Sequence, residues 1–538
     1  MSFTVEFPTG SDILSLNKVI RDKKIFMKKV GIKAIILILF LLHIPLFASE
    51  WQKELDAAKA LGIKFSSDNK TLLKCPRDVK KVIIPSCVNS IGEYAFEFCY
   101  NLTGITIPNS VTHIAQGAFA EIKSVKVSPD HPTLITDDAG ALIDAKKGIL
   151  LFFPPDYKGH YTIPNNVTQI GDEAFHGCKK LNSVTIPKSV KRIGYYAFCN
   201  CHKLNNLTIP DSVEYMGMGA FSICESLRSI TIPPSIKQIS FAAFIHCKNL
   251  NNVTISNGVT HIGGMAFSDC INLSSITIPP SVTHIAEKAF ADCDKLSNLM
   301  IPNNVTHIEQ GAFYMFKSVK VSPDHPTLIT DEAGALIDIK KGILLFFPPE
   351  YKGHYTIPDN VTQIGNMAFY WCKNLNSVTI PPGVTSIGYS AFEACSNLSS
   401  VSIPNSVTRI GDKAFSGCRN LRHVTIPDSV KEIGNGAFSC CDRLTDVSIS
   451  GRVEFLGGEV FAACERLKSV TISDGVKYIV DEAFWGCDNL SSVTIPDSII
   501  RIGLEAFDGC DKLKSVTISA KTEYYPDSFP KDCKIIKR

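Results

Sequence analysis

Cysteine, histidine, threonine and aromatic side chains recur in this chain at fixed steps, and each type could do chemistry. Nineteen cysteines are present, fourteen of them three residues after a phenylalanine, as Cys201 follows Phe198. Such thiols can bind metal, form disulfides or pack as small apolar groups. A constant step places them in one column with side chains pointing in parallel. The expected state is therefore a reduced packing column, and Cys75, Cys87 and Cys533, outside it, are better placed for a capping disulfide. His261, His284 and His307 repeat every 23 residues. Stacked imidazoles can ligate zinc or copper, but no acid or thiol shares their row, which elsewhere holds Gln169, Arg192, Gln238, Arg409 and Glu432. The row reads as solvated, and neither a metal site nor a cofactor is expected.

Five aromatic residues stand where the repeating frame does not ask for them: Tyr314, Phe316, Tyr370, Trp371 and Trp485. Large rings dominate protein contacts, so these are the candidate binding residues. Packing against the neighbouring insertion is the competing role for the first four. Catalysis has no support: there is no Gly-rich phosphate loop, HExxH or GxSxG, and no catalytic residue is assigned.

The elements that carry these residues follow from the period. Phenylalanine recurs at 96 and 119, from 175 to 313, and from 369 to 507, in steps of 23 within each run. A frame such as Leu181-Asn-Ser-Val184-Thr-Ile186-Pro187, Val190, Ile193-Gly194, Ala197-Phe198, Cys201 surrounds each one. Alternation in Val-Thr-Ile is that of a half-buried strand, and the following Pro ends it. Val-x-x-Ile-Gly returns across the core, with Gly at a corner. Phe and Cys three apart predict a short helical turn. One coil buries too little to offset the ordering of 23 residues, so coils must stack. Thr fills the outward strand position in most units, making a polar, nearly uncharged face flanked by Ser and Asn.

The unit LxxVTIPxxVxxIGxxAFxxC, running from about Val82 to Ile518, resembles the BspA-like (treponemal-type) leucine-rich repeat. That resemblance implies a right-handed leucine-rich repeat solenoid, β-rich α/β, with a parallel sheet on one face. It also implies a secreted or surface protein of the kind that includes adhesins toward host extracellular matrix proteins or other cells.

Two steps of 56 interrupt the period. The segments Ser124–Ile170 and Ser318–Ile364 are duplicates that differ at four positions, with Gly/Asp punctuation that reads as hairpin turns on the solenoid side.

Charge excludes a nucleic-acid partner. Of 55 basic and 52 acidic residues, seven and three lie in residues 1–48, and the rest of the chain nearly balances. Met27 to Ser49 has a basic start, an apolar core and a small residue at Ala48, the layout of a secretory signal peptide cut there and too short to span a membrane. The expected organisation is an upstream extension or misassigned start (1–26), a signal peptide (27–48) and an N-terminal cap (49–81). Repeats (82–123), an irregular hairpin-containing unit (124–163), repeats (164–317), the duplicate irregular unit (318–357), repeats (358–518) and a C-terminal cap (519–538) follow. The expected protein is a non-enzymatic, secreted or cell-surface (or periplasmic) binder of a protein or glycan ligand, with no transmembrane domain in the mature chain. A self-associating envelope scaffold is the alternative.

Overall fold

The computed structural model describes residues 50–120, 122–297 and 299–538, in two compact units that divide between Pro132 and Thr133. The expected export signal lies outside the described residues. Among those described, no helix is long and apolar enough to cross a membrane.

In the first unit, residues 50–60 are helical and bury Leu55 and Ala58. Glu54 accepts hydrogen bonds from the backbone N–H and the hydroxyl of Ser86, both at 2.8 Å. Lys64–Phe65 pairs antiparallel with Thr71–Lys74, which seeds a parallel ladder through Ser90–Ile91 to His113–Ile114.

One coil explains most of the second unit. Leu181–Thr185 is a strand whose Leu181 and Val184 are buried and whose Thr185 is exposed. Equivalent strands pair in parallel and in register, so Thr231, Thr254 and Thr277 are direct neighbours. After Pro187 the chain turns, buries Val190, and forms the two-residue strand Arg192–Ile193. These short strands make a second parallel ladder, one sheet of which has eleven strands ending at Glu523–Tyr524. Between the ladders the phenylalanines stack face to face: Phe198 and Phe221 lie 5.2 Å apart at 8°. The register read from the period is thus the register of the coil stack.

The third side of the coil holds the main difference from the sequence reading. The segment expected to be a helical turn is a run of tight turns whose N–H groups alternate in direction. Those of Glu173, Phe175 and Gly177 donate to carbonyls of Tyr195, Ala197 and Cys199 in the next coil, at 2.8, 2.7 and 2.9 Å. Those of Ala174, His176 and Cys178 return to carbonyls three residues back. The alternation needs left-handed backbone two residues before each phenylalanine, where every coil has it, and again two residues after. Twelve of the former are not glycine, Tyr196 and Glu173 among them. Each non-glycine residue there costs about 1–2 kcal/mol, which the inter-coil bonds offset. The corner glycine has another purpose. At Gly217 a Cβ would lie 2.5 Å from Tyr195 N and 2.6 Å from Gly194 C, so the requirement is close approach of successive coils.

All nineteen cysteines are free, including Cys75, Cys87 and Cys533. In successive coils the thiol donates to the phenylalanine carbonyl of the preceding coil, as Cys201 Sγ to Phe175 O at 3.1 Å and Cys247 Sγ to Phe221 O at 3.2 Å. Burial pushes the Cys247 thiol up to about 12, which makes it a poor nucleophile. Only Cys87, Cys440 and Cys533 are not fully buried. A thiol reagent added to the native, unreduced chain should therefore modify at most these three, and all nineteen after unfolding. A denatured count below half of the total would mean that the column is oxidised.

The insertions are hairpins that extend the short-strand ladder. Leu134–Thr136, Leu142–Asp144 and Ile149–Phe152 are antiparallel, and the last joins Gln169–Ile170 in parallel. Asp137 Oδ1 closes the first turn by accepting from Ala139 and Ala141 N–H, and its Oδ2 accepts from Tyr161 at 2.7 Å. Asp331 and Tyr355 repeat the contact at 2.6 Å in the duplicate. Phe153 then enters the phenylalanine column 4.7 Å from Phe175, and Phe347 does so 4.6 Å from Phe369. Each 56-residue step thus hides a further coil. The expected C-terminal cap also stacks as a coil: Phe529 lies 5.2 Å from Phe507, and Lys534–Lys537 pairs with Ser515–Ile518.

Candidate functional site

With the interior taken up by repeated apolar side chains, chemistry that varies from coil to coil lies on outward positions. Three such rows carry the candidate residues.

The first row is on the turn side, beside the second insertion. Tyr314 and Tyr370 are brought together with ring centroids 4.4 Å apart, and Trp371 meets Tyr370 edge-on at 6.1 Å. Lys373 Nζ sits 3.9 Å over the indole. All three rings are half-buried. Trp371 is held in left-handed backbone at φ 59°, and its indole Nε1 is buried with no hydrogen-bond partner among the described residues. Burial and the hydrogen bond with Tyr370 raise the Tyr314 hydroxyl well above the ordinary tyrosine range. Phe316 is a correction: it is 0% exposed and packs 5.8 Å from Phe313, taking the core volume that cysteine fills in other coils. It is unavailable for contact. Trp485 is 43% exposed on the same turn position of a distant coil, apart from the cluster.

Next to Tyr314 is Asp292, whose carboxyl is pushed up to about 6 by burial and by the neighbouring carboxylates of Asp269 and Asp294. The raised value means that the folded state holds this proton more tightly than the unfolded chain does. The resulting stability is present below about pH 4 and lost as pH rises through about 6. Asp292→Asn should therefore raise the melting temperature at about pH 7.5 and leave it nearly unchanged at about pH 4. Equal gains at both pH values would contradict this.

The second row lies along the short-strand ladder. His261, His284 and His307 stack at 4.3 and 4.4 Å. Each Nδ1 meets the hydroxyl of the preceding threonine, at 2.8, 2.7 and 3.0 Å. Burial first, then the charges of the two flanking imidazoles, lower the pKa of His284. Among the described residues no three His, Cys, Asp or Glu side chains gather as a metal-holding group. The row is less uniformly polar than the sequence suggested. Arg192 lies 4.1 Å over the Tyr215 ring, and Phe455, 53% exposed, stacks on Tyr478 at 4.8 Å. The 23-residue spacing of Phe455 and Tyr478 from Glu432 is the signal that could have found them.

The third row is the threonine face. His160 Nε2 contacts the hydroxyls of Thr162 and Thr185 at 3.1 and 3.2 Å, and His354 repeats this with Thr356 and Thr379. This face offers hydroxyls and amides in register and no assembled nucleophile.

Known proteins give the remaining comparison. The chain matches the BspA type leucine rich repeat region at residues 68–137, 158–262, 237–328, 352–467 and 436–538. No curated protein matches. Among solved structures, it is similar to a leucine rich cell surface protein from Faecalibacterium prausnitzii, with 29% identity over 74% of this chain and 96% of that one, TM-score 0.46. It is also similar to a leucine-rich repeat protein from Bacteroides ovatus, with 24% identity over 88% and 97%, TM-score 0.37. The leucine rich repeat protein of T. pallidum is 28% identical over 36% of this chain and 90% of that one, TM-score 0.31.

Proposed function

This chain belongs to the BspA-type leucine-rich repeat family, and from that premise we propose that it is a non-enzymatic, secreted or cell-surface protein that binds a protein or glycan partner through its exterior. The observation that carries this reading is the contrast within each coil. Inward positions repeat Leu, Val, Ile, Phe and Cys and are buried, whereas outward positions change from coil to coil and gather aromatic and polar groups. The layout of Met27–Ala48 supports export.

Tyr314, Tyr370 and Trp371 are the proposed contact cluster, with Trp485 as a separate contact. Half-buried rings lose little freedom on binding and present large area, as interface anchors do. The double variant Tyr370→Ala, Trp371→Ala should weaken partner binding about tenfold or more with little change in melting temperature. A large stability loss instead would make these rings packing elements.

The broader reading is tested by screening the purified chain against matrix proteins and mucins, with light scattering in parallel. Saturable binding by a monodisperse chain supports it. Self-association without any ligand would favour a structural scaffold.

A further inference from the structure

A groove of about 950 Å³ opens where successive coils pass from the turn side into the threonine-bearing strands. Asn205, Asn206, Arg228, Asn251, Ser274 and Lys295 are among the side chains that line it, and no carboxylate is among them. Arg228 and Lys295 form no ion pair among the described residues, and the carboxamides of Asn205, Asn206 and Asn251 have no hydrogen-bond partner there. The nearby Glu225 is engaged on its own row, with His202 Nδ1 at 3.0 Å and Lys248 Nζ at 3.3 Å, so it does not neutralise the groove. The groove therefore presents unpaired cations and unpaired amides in a line.

We infer that this groove binds an acidic polysaccharide, one whose sugar rings carry carboxylates. This rests on the reading that the protein is a binder and names the class of ligand for one of its surfaces. Three features point to that class. Carboxamides and hydroxyls both donate and accept, which matches a chain of hydroxyl groups. Arg228 offers the planar fork that a carboxylate takes in two parallel hydrogen bonds, and Lys295, three coils away, offers a point charge to a second carboxylate. The polar side chains repeat with the coil, whose phenylalanine rings here lie 5.2 to 5.7 Å apart. A pyranose ring advances a polysaccharide by about one such step, so successive sugars meet equivalent groups. An extended peptide advances about 3.3 Å per residue and falls out of phase with the coils.

The probe is polygalacturonate, titrated into the purified full chain, with fully methyl-esterified polygalacturonate and poly-glutamate as comparisons. Polygalacturonate should bind, weaken as salt is raised, and lose about tenfold or more in affinity in the double variant Arg228→Ala, Lys295→Ala. Both positions are exposed, so the melting temperature of that variant should not change. Esterification should abolish binding. No binding of polygalacturonate, binding that survives the double variant, or equal binding of poly-glutamate would each overturn the assignment. If such a result accompanies a protein partner found in the matrix and mucin screen, the groove assignment alone falls. If the screen is also empty, the binding function falls with it.

Discussion

Phe221→Ala destabilises the second unit by about 3–5 kcal/mol, the range for removing a fully buried ring. The ring lies between Phe198 at 5.2 Å and Phe244 at 5.4 Å, nearly parallel to both, and is 0% exposed. Its neighbours cannot collapse into the space, because their own backbone is held by inter-coil bonds: Phe198 N–H donates to Ala220 O at 2.8 Å, and Phe221 N–H to Ala243 O at 2.9 Å. Truncation therefore leaves a cavity in the middle of the column. Phe455→Ala is the matched comparison, since that ring also stacks but stands outside the core; its cost should stay below about 1 kcal/mol. Urea unfolding of both variants checks the pair, and equal losses would mean that the column is not the main source of stability.

His325→Ala is the second large effect, at about 2–4 kcal/mol, and it is localised to the second insertion. This buried imidazole accepts hydrogen bonds at Nδ1 from the N–H groups of Thr327 and Leu328, at 3.2 and 3.0 Å. With Nδ1 an acceptor, Nε2 carries the proton and donates to Val305 O at 2.9 Å. In ordinary coils a serine makes the equivalent link, as Ser281 Oγ does to Val259 O at 2.7 Å. At the insertion the chain leaves the regular path, and the longer side chain of histidine reaches the same kind of carbonyl while pinning the start of the hairpin. Alanine there strands one acceptor and two donors at a buried site. Amide exchange of residues 327–346 should accelerate well beyond that of the coils after Phe369. Unchanged exchange in the hairpin would contradict this role.

How far the sequence led depends on the kind of residue that carried each feature. The coil, its two ladders and its reduced thiol column were legible because Phe, Cys, Pro and Gly recur at one step and each has a narrow set of physical uses. Phe153, Phe347 and Phe529 were missed as members of the column because each stands 22 residues from its neighbouring phenylalanine and lacks the preceding alanine. The turn geometry was illegible for another reason: its left-handed positions hold Glu, Met, Lys and Trp as readily as Gly, because bonds to the next coil offset the strain. Of the candidate site, the pairing of Tyr314 with Tyr370 depends on how the chain closes over a 56-residue step, which spacing alone does not encode. Phe316 misled because an aromatic in place of a column cysteine reads as surplus, when it fills the volume left where the repeat breaks. The unpaired state of Arg228 and Lys295 arises from the absence of acids in the neighbouring coils, a property of the stack and not of either residue.

The account stands on coils that repeat in register, so that any one coil presents the same interface above and below. Removing residues 227–249 takes out one period and joins Ser226 to Leu250. Thermal unfolding of that deletion, beside one lacking residues 227–237, tests this most directly. The first variant should unfold cooperatively near the temperature of the parent chain, while the second, cut out of register, should lose its cooperative transition. Equal damage from both deletions would contradict a stack of interchangeable coils.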